Sequence, residues 1–173
     1  MSARLLVVGA DPGKTTGLCA LLFENHVLVR SLVLQTTATS VGGLTRGLLS
    51  PSLILAPDSR RSSQNGCTVH ATVLAIERFV VGQRAARSQH AAAGRTTREL
   101  VEELRHVGAT AGARVVLRSA ADVKPWATNA RLRAAGLLGH LTGLPHAADA
   151  CRHGLFAAVN DCGVPDPLRG ALT

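Results

Sequence analysis

The sequence predicts an α/β domain built on a mixed sheet. Short apolar runs of strand length recur at 4–10, 17–23 and 27–35 before any helical periodicity begins. Helical spacing then governs 84–107 and 145–159. Two further strand-like runs, Val73–Ile76 and Arg114–Arg118, flank the first of those helices. At 173 residues, with Ala, Leu and Val supplying most of the apolar content, the chain fits one domain with its own core. We expect that domain to span 1–160, with 161–173 a frayed tail because of Pro165 and Pro167.

The first strand ends at Asp11, and Pro12-Gly13 suits a tight turn into the second. Glu24-Asn25-His26 reads as a hairpin turn into the third. Residues 36–66 contain Gly42-Gly43, Pro51, Pro57 and a polar cluster, and are expected to be irregular apart from a possible short helix at Leu44–Leu49. Glu77 closes the strand that follows. In the long helix, Leu100, Val101, Leu104 and Val107 share a face, and Gly94 is its weak point. Ser119 can cap a short helix limited by Pro125, and Asn129 one that runs to about Leu138. Pro145 starts the last helix.

The stretch "VVGADPGKTTGL" invites comparison with a phosphate-binding loop, but the fit fails. A Walker A loop encloses four residues between its glycines, whereas Gly9 and Gly13 enclose three. Pro12 removes an N–H donor, and a strand rather than a helix follows. No nucleotide cofactor is expected. Asp11 is then either a solvated turn residue or a cation ligand at a strand tip.

No run is long enough to span a membrane. Four cysteines without metal-ligand spacing read as reduced thiols in a cytoplasmic setting. The chain carries 19 Lys and Arg against 11 Asp and Glu, and residues 78–152 alone hold twelve basic residues against five acidic ones. Eleven of those twelve are Arg, whose planar fork suits phosphate, so a polyanion is the expected partner. A high-GC coding bias toward Arg and Ala would give the same composition.

Asp11 and Glu77 end strands, and Asp149 lies in the first turns of the last helix. If that helix packs beside the strand ends, three carboxylates converge, and a cation must neutralise them. Oxygen ligands suit Mg²⁺ or Mn²⁺, and a pair of such ions can drive phosphodiester hydrolysis. His146 shares a helical face with Asp149, and His153 lies on the same side. A helical His is more often a surface or core residue than a ligand, and the carboxylate neighbour favours His146 over His153.

"GADPGKTTG", "LAIERF" and "PHAADACRHGLF" together resemble the acidic motifs of the RuvC-type Holliday-junction resolvases of the RNase H-like superfamily. The resemblance implies an RNase H-like, mixed five-stranded sheet with helices on both faces. It also implies Mg²⁺-dependent (or Mn²⁺-dependent) cleavage of branched DNA by a homodimer, with two ions per site. Asp11, Glu77 and Asp149 would be metal ligands, and His146 stands where many members carry Asp and some His. "DVKPWATNARLRAAGLL" resembles the segment that approaches DNA, which assigns Lys124, and less directly Arg131 and Arg133, to the phosphates. Arg78, Arg84 and Arg87 join that basic set. Phe79 either stacks on a base or is a core residue. Lys14 has no role in the family pattern. Members usually carry an amphipathic helix between the third strand and the Glu-bearing strand, and residues 36–66 do not look like one. A short Arg- and Ala-rich chain fits a phage-encoded member acting in the host cytoplasm. A related nuclease on other branched DNA or RNA–DNA hybrids, and a junction-binding protein with a decayed site, are the alternatives.

Overall fold

The computed structural model describes residues 3–50, 69, 71–78 and 91–169, with 91–95 as helix backbone. Three strands, β1 (Arg4–Asp11), β2 (Thr15–Glu24) and β3 (Val27–Thr37), form an antiparallel meander. β4 (Ala71–Glu77) pairs parallel to β1, and β5 (Arg114–Arg118) parallel to β4. The sheet is mixed and five-stranded, in the order β3-β2-β1-β4-β5. β1 is therefore central, which explains its unbroken apolar run: both of its faces are covered.

Alternation along β1 assigns one residue set to each layer. Leu6, Val8 and Ala10 point to a core closed by α1 (Val41–Leu49) and α2 (Ala91–Thr110). Val7, with Cys19, Leu21 and Phe23 of β2, points to the opposite core, closed chiefly by α5 (Pro145–Cys162). Helices thus lie on both faces, as expected.

The β2–β3 hairpin turns on Asn25 and His26, with φ of 49° and 67°. A two-residue loop matching the twist of its strands needs positive φ at both positions, and Asn tolerates that region well. Asn25 Oδ1 also accepts from the Ala3 N–H at 3.2 Å.

In 36–50 the expected irregularity does not hold, and the short helix expected at Leu44–Leu49 is part of a longer one. β3 continues to Thr37 and α1 follows almost at once. Val41, Gly42, Thr45, Leu48 and Leu49 form its buried face at helical spacing. Gly42 and Gly43 and the lack of a side-chain cap hide its first turn from propensity reasoning. Gly42 lies against the carboxylate end of Glu103 on α2, a flexible side chain that could move aside for a larger residue. Residues 51–66 lie outside the described residues, as do 84–90 of the expected long helix.

After β5, α3 (Ala120–Val123) begins with the expected Ser119 cap, completed by Asp122: Ser119 Oγ accepts from the Asp122 N–H, and Asp122 Oδ2 accepts from the Ser119 N–H at 3.0 Å. α4 (Asn129–Ala134) differs from expectation at both ends. Thr128, not Asn129, is its cap, and Gly136 at φ 74° turns the chain four residues earlier than the apolar pattern indicates.

The first part of the expected frayed tail is packed against the domain, and 170–173 lie outside the described residues. α5 runs through Asp161 and Cys162, Gly163 ends it with φ 73°, and Val164 is buried. Asp161 accepts two bonds from Arg118 at 2.7 and 2.8 Å. Asp166 accepts from Arg131 Nε and Nη2, with Nη2 at 2.9 Å. Between these pairs Arg118 stacks over Phe156, Phe156 meets Trp126 edge-on at 5.3 Å, and Arg131 lies 4.5 Å from the Trp126 ring centre. Bidentate anchors outweigh the two prolines that predicted fraying.

Candidate active site

β1 and β4 are parallel neighbours with Ala10 opposite Ile76, so the residues that end them, Asp11 and Glu77, leave the same edge of the sheet. α5 is brought over that edge by two glycines. A side-chain carbon on Gly9 would fall on the Ala150 carbonyl, and one on Gly17 would fall on the His146 carbonyl. Only glycine lets the helix backbone approach this closely. Gln35 of β3 then fixes the start of α5, its Oε1 accepting from the backbone N–H of His146 at 2.9 Å and of Ala147 at 3.4 Å. No cap side chain precedes α5, so Gln35 takes over two of its orphan donors.

Four side chains predicted from sequence arrive in this place, each already holding a partner. His146 Nδ1 lies 2.9 Å from Asp11 Oδ2. Donation from Nδ1 to the carboxylate leaves Nε2 as the nitrogen with a lone pair. Asp149 is gripped from two sides, by Lys124 Nζ on Oδ2 at 2.9 Å and by Arg152 Nη1 on Oδ1 at 2.6 Å. Glu77 Oε2 lies 3.2 Å from His153 Nε2, on a ring that is 2% exposed.

The electrostatics follow from this pairing. Burial pushes the Asp11 carboxyl above its usual range; the His146 hydrogen bond pulls it back, and the charges of Glu77 and Asp149 push it further up. Burial would also raise Asp149, but Lys124 and Arg152 together hold it below the carboxylate range. The hydrogen bond to Asp149 in turn raises Lys124.

The turn after Asp11 is closed on itself. Thr16, fully buried, donates its hydroxyl to the Gly13 carbonyl at 3.0 Å and accepts from the Gly13 N–H at 3.3 Å. The N–H that a phosphate cradle would use is thereby occupied. Lys14 is exposed beside it.

The basic residues divide. Lys124, Arg78 and Arg133 are exposed. Arg131 donates Nη1 to the Trp126 carbonyl at 2.8 Å as well as to Asp166, so its guanidinium is committed within the protein. Phe79, Arg84 and Arg87 lie outside the described residues. Sequence reasoning overlooked Gln35 and Arg152 and ranked His153 low. For Arg152 the signal was its i, i+3 spacing from Asp149.

Among the described residues, no three His, Cys, Asp or Glu side chains are grouped closely enough to hold one metal ion. The donor chemistry nonetheless fits a hard divalent cation: three carboxylates and an imidazole lie at one sheet edge, with Asp11 already burdened by the charge of the other two acids.

The architecture has relatives among solved structures. Thermus thermophilus RuvC in complex with a Holliday junction substrate superposes with a TM-score of 0.53, at 19% identity, over 94% of this chain and 97% of that one. The chain has the RuvC fold. A second Thermus thermophilus RuvC structure agrees, with a TM-score of 0.51 at 19% identity over 93% of this chain and 97% of that one. No family model and no curated protein sequence matches the chain. In the RuvC fold recognised here, α1 lies in sequence between the third strand and the Glu-bearing strand, so the expected departure at 36–66 does not extend to its first part.

Proposed function

We propose that the chain is a RuvC-type, divalent-metal-dependent endonuclease that cuts branched DNA, four-way junctions above all. The observation that supports this reading is the placement of Asp11 and Glu77 at the ends of adjacent parallel strands, with Asp149 and Lys124 beside them. Asp11, Glu77, Asp149 and His146 would hold Mg²⁺ or Mn²⁺, two ions per site. Bound there, the metal supplies Lewis acidity toward the phosphodiester. Lys124, 47% exposed and paired to Asp149, would swing its ammonium from Asp149 to a DNA phosphate. His146 is held by Asp11 through Nδ1 and keeps Nε2 as a ligand or as a site to take up and release a proton. Arg78 and Arg133, both exposed, would extend the phosphate-binding surface, and Arg84, Arg87 and Phe79 remain candidates from sequence for DNA contact. Paired cuts across a junction require a homodimer.

Incubation of a synthetic four-way junction with the protein, with and without Mg²⁺ or Mn²⁺, tests the reading. Flap and RNA–DNA hybrid substrates belong in the same assay. Cleavage should need the metal and prefer the junction, and Asp11→Asn should bind the junction without cutting it. Equal cutting by Asp11→Asn would end the metal reading. Preference for a flap or hybrid would move the substrate class, and tight binding without turnover in either metal would mark a decayed site.

A further inference from the structure

Arg152 has no part in the roles assigned above, yet it touches one of the three carboxylates. It leaves α5 three residues after Asp149, on the same face. Nη1 donates to Asp149 Oδ1 at 2.6 Å, and Nη2 donates to Asn129 Oδ1 at 2.7 Å. Asn129 is the first residue of α4, so the guanidinium ties Asp149 to the segment that also carries Lys124. Lys124 holds the other oxygen, Oδ2, at 2.9 Å.

The two cations are not equivalent. Arg152 is a planar fork anchored at two points and 20% exposed; Lys124 reaches Asp149 on a flexible stem and is 47% exposed. One is built to stay and the other to exchange. We propose that Arg152 is a positioning residue, fixing Asp149 through Oδ1 and leaving Oδ2 to exchange between Lys124 and a divalent cation. The proposal rests on the metal-dependent reading above.

Two effects of removing Arg152 oppose each other. Loss of its charge favours a cation beside Asp149, but a partly exposed pair is worth only a few-fold in affinity. Loss of an outer hydrogen bond to a ligand costs about 10- to 100-fold in affinity or activity. Orientation outweighs charge.

The test compares Arg152→Ala and Arg152→Lys with the unmodified protein by Mn²⁺ calorimetry without DNA, by junction-cleavage kinetics and by thermal unfolding. Arg152→Ala should bind Mn²⁺ about tenfold more weakly and lower kcat at saturating Mn²⁺ by roughly tenfold or more, with KM for the junction unchanged. Arg152→Lys, which keeps the charge and one donor to Asp149, should regain most of the Mn²⁺ affinity. Unchanged Mn²⁺ binding in Arg152→Ala overturns the proposal. So does equal impairment of both variants with matching losses of thermal stability, which would make Arg152 a brace between α4 and α5 and nothing more. If the unmodified protein binds Mn²⁺ but cuts no junction, the nuclease reading fails, and the Mn²⁺ titrations still decide the role of Arg152. If it binds no Mn²⁺, both fall.

Discussion

Gly17 and His146 are in backbone contact: a side-chain carbon on Gly17 would fall inside the His146 carbonyl group. This approach seats the start of α5 on β2 and so sets where His146 meets Asp11. Gly17→Ala must push backbone against backbone, which has no rotamer to relieve it. We expect a loss of about 3 kcal/mol, the upper end for overpacking, and a displaced α5. Gly13→Ala is the contrast, because its new carbon would lie 3.3 Å from the Thr15 carbonyl in a turn that can adjust. Its cost should stay below about 1 kcal/mol. Urea unfolding of both variants checks the difference; equal costs would mean that α5 is not seated by this contact.

Asp11 illustrates how a candidate site burdens its fold. Its carboxyl is held above the usual range, so the folded state binds a proton more readily than the unfolded chain does. The resulting destabilisation is absent below the ordinary carboxylate pKa, grows as pH rises from there and is complete above the raised value. Asp11→Asn should therefore stabilise the metal-free protein at pH 7 by roughly 1 kcal/mol, about 2–4 °C for a domain of this size. Added Mg²⁺ should raise the melting temperature of the unmodified protein and leave Asp11→Asn almost unmoved. Differential scanning fluorimetry with and without Mg²⁺ reads both. A less stable Asp11→Asn would mean that the His146 bond outweighs burial and repulsion.

The legible parts of this chain were those governed by local pattern. Strand-length apolar runs gave all five strands, and Pro145 marked the start of α5. Asp11 and Glu77 could be read because parallel neighbours bring their ends together. Of α1 only the part at Leu44–Leu49 was legible, because Gly42 and Gly43 lower helix propensity in its first turn. The internal pairing of Arg131 was illegible for a related reason. Spacing marks a basic residue near a DNA-binding segment, but not that Asp166, 35 positions away, will occupy its guanidinium. The grip of Lys124 on Asp149 likewise joins residues that only the packing of α5 beside α3 brings together, whereas Arg152 meets Asp149 by its i, i+3 spacing along α5.

Arg131 and Asp166 join α4 to the chain beyond α5, and the pair gives acid sensitivity of a definite sign. The Arg131 hydrogen bonds hold the Asp166 carboxyl below its ordinary range, against the opposing effect of burial. Its stabilisation is complete above the unfolded carboxylate pKa of about 4 and is lost as pH falls through the lower folded value. Asp166→Asn keeps the shape but loses the charge, and should cost about 1 kcal/mol at pH 7, as expected of a well-formed pair near the surface. The deficit should shrink below about pH 4, where the unmodified protein loses the same contribution. Denaturant titrations of both proteins from pH 7 down to pH 3 measure this convergence. If the two curves stay parallel, Asp166 contributes packing rather than charge. Arg131 would then be held mainly by its stack on Trp126, at 4.5 Å from the ring centre, and by its bond to the Trp126 carbonyl.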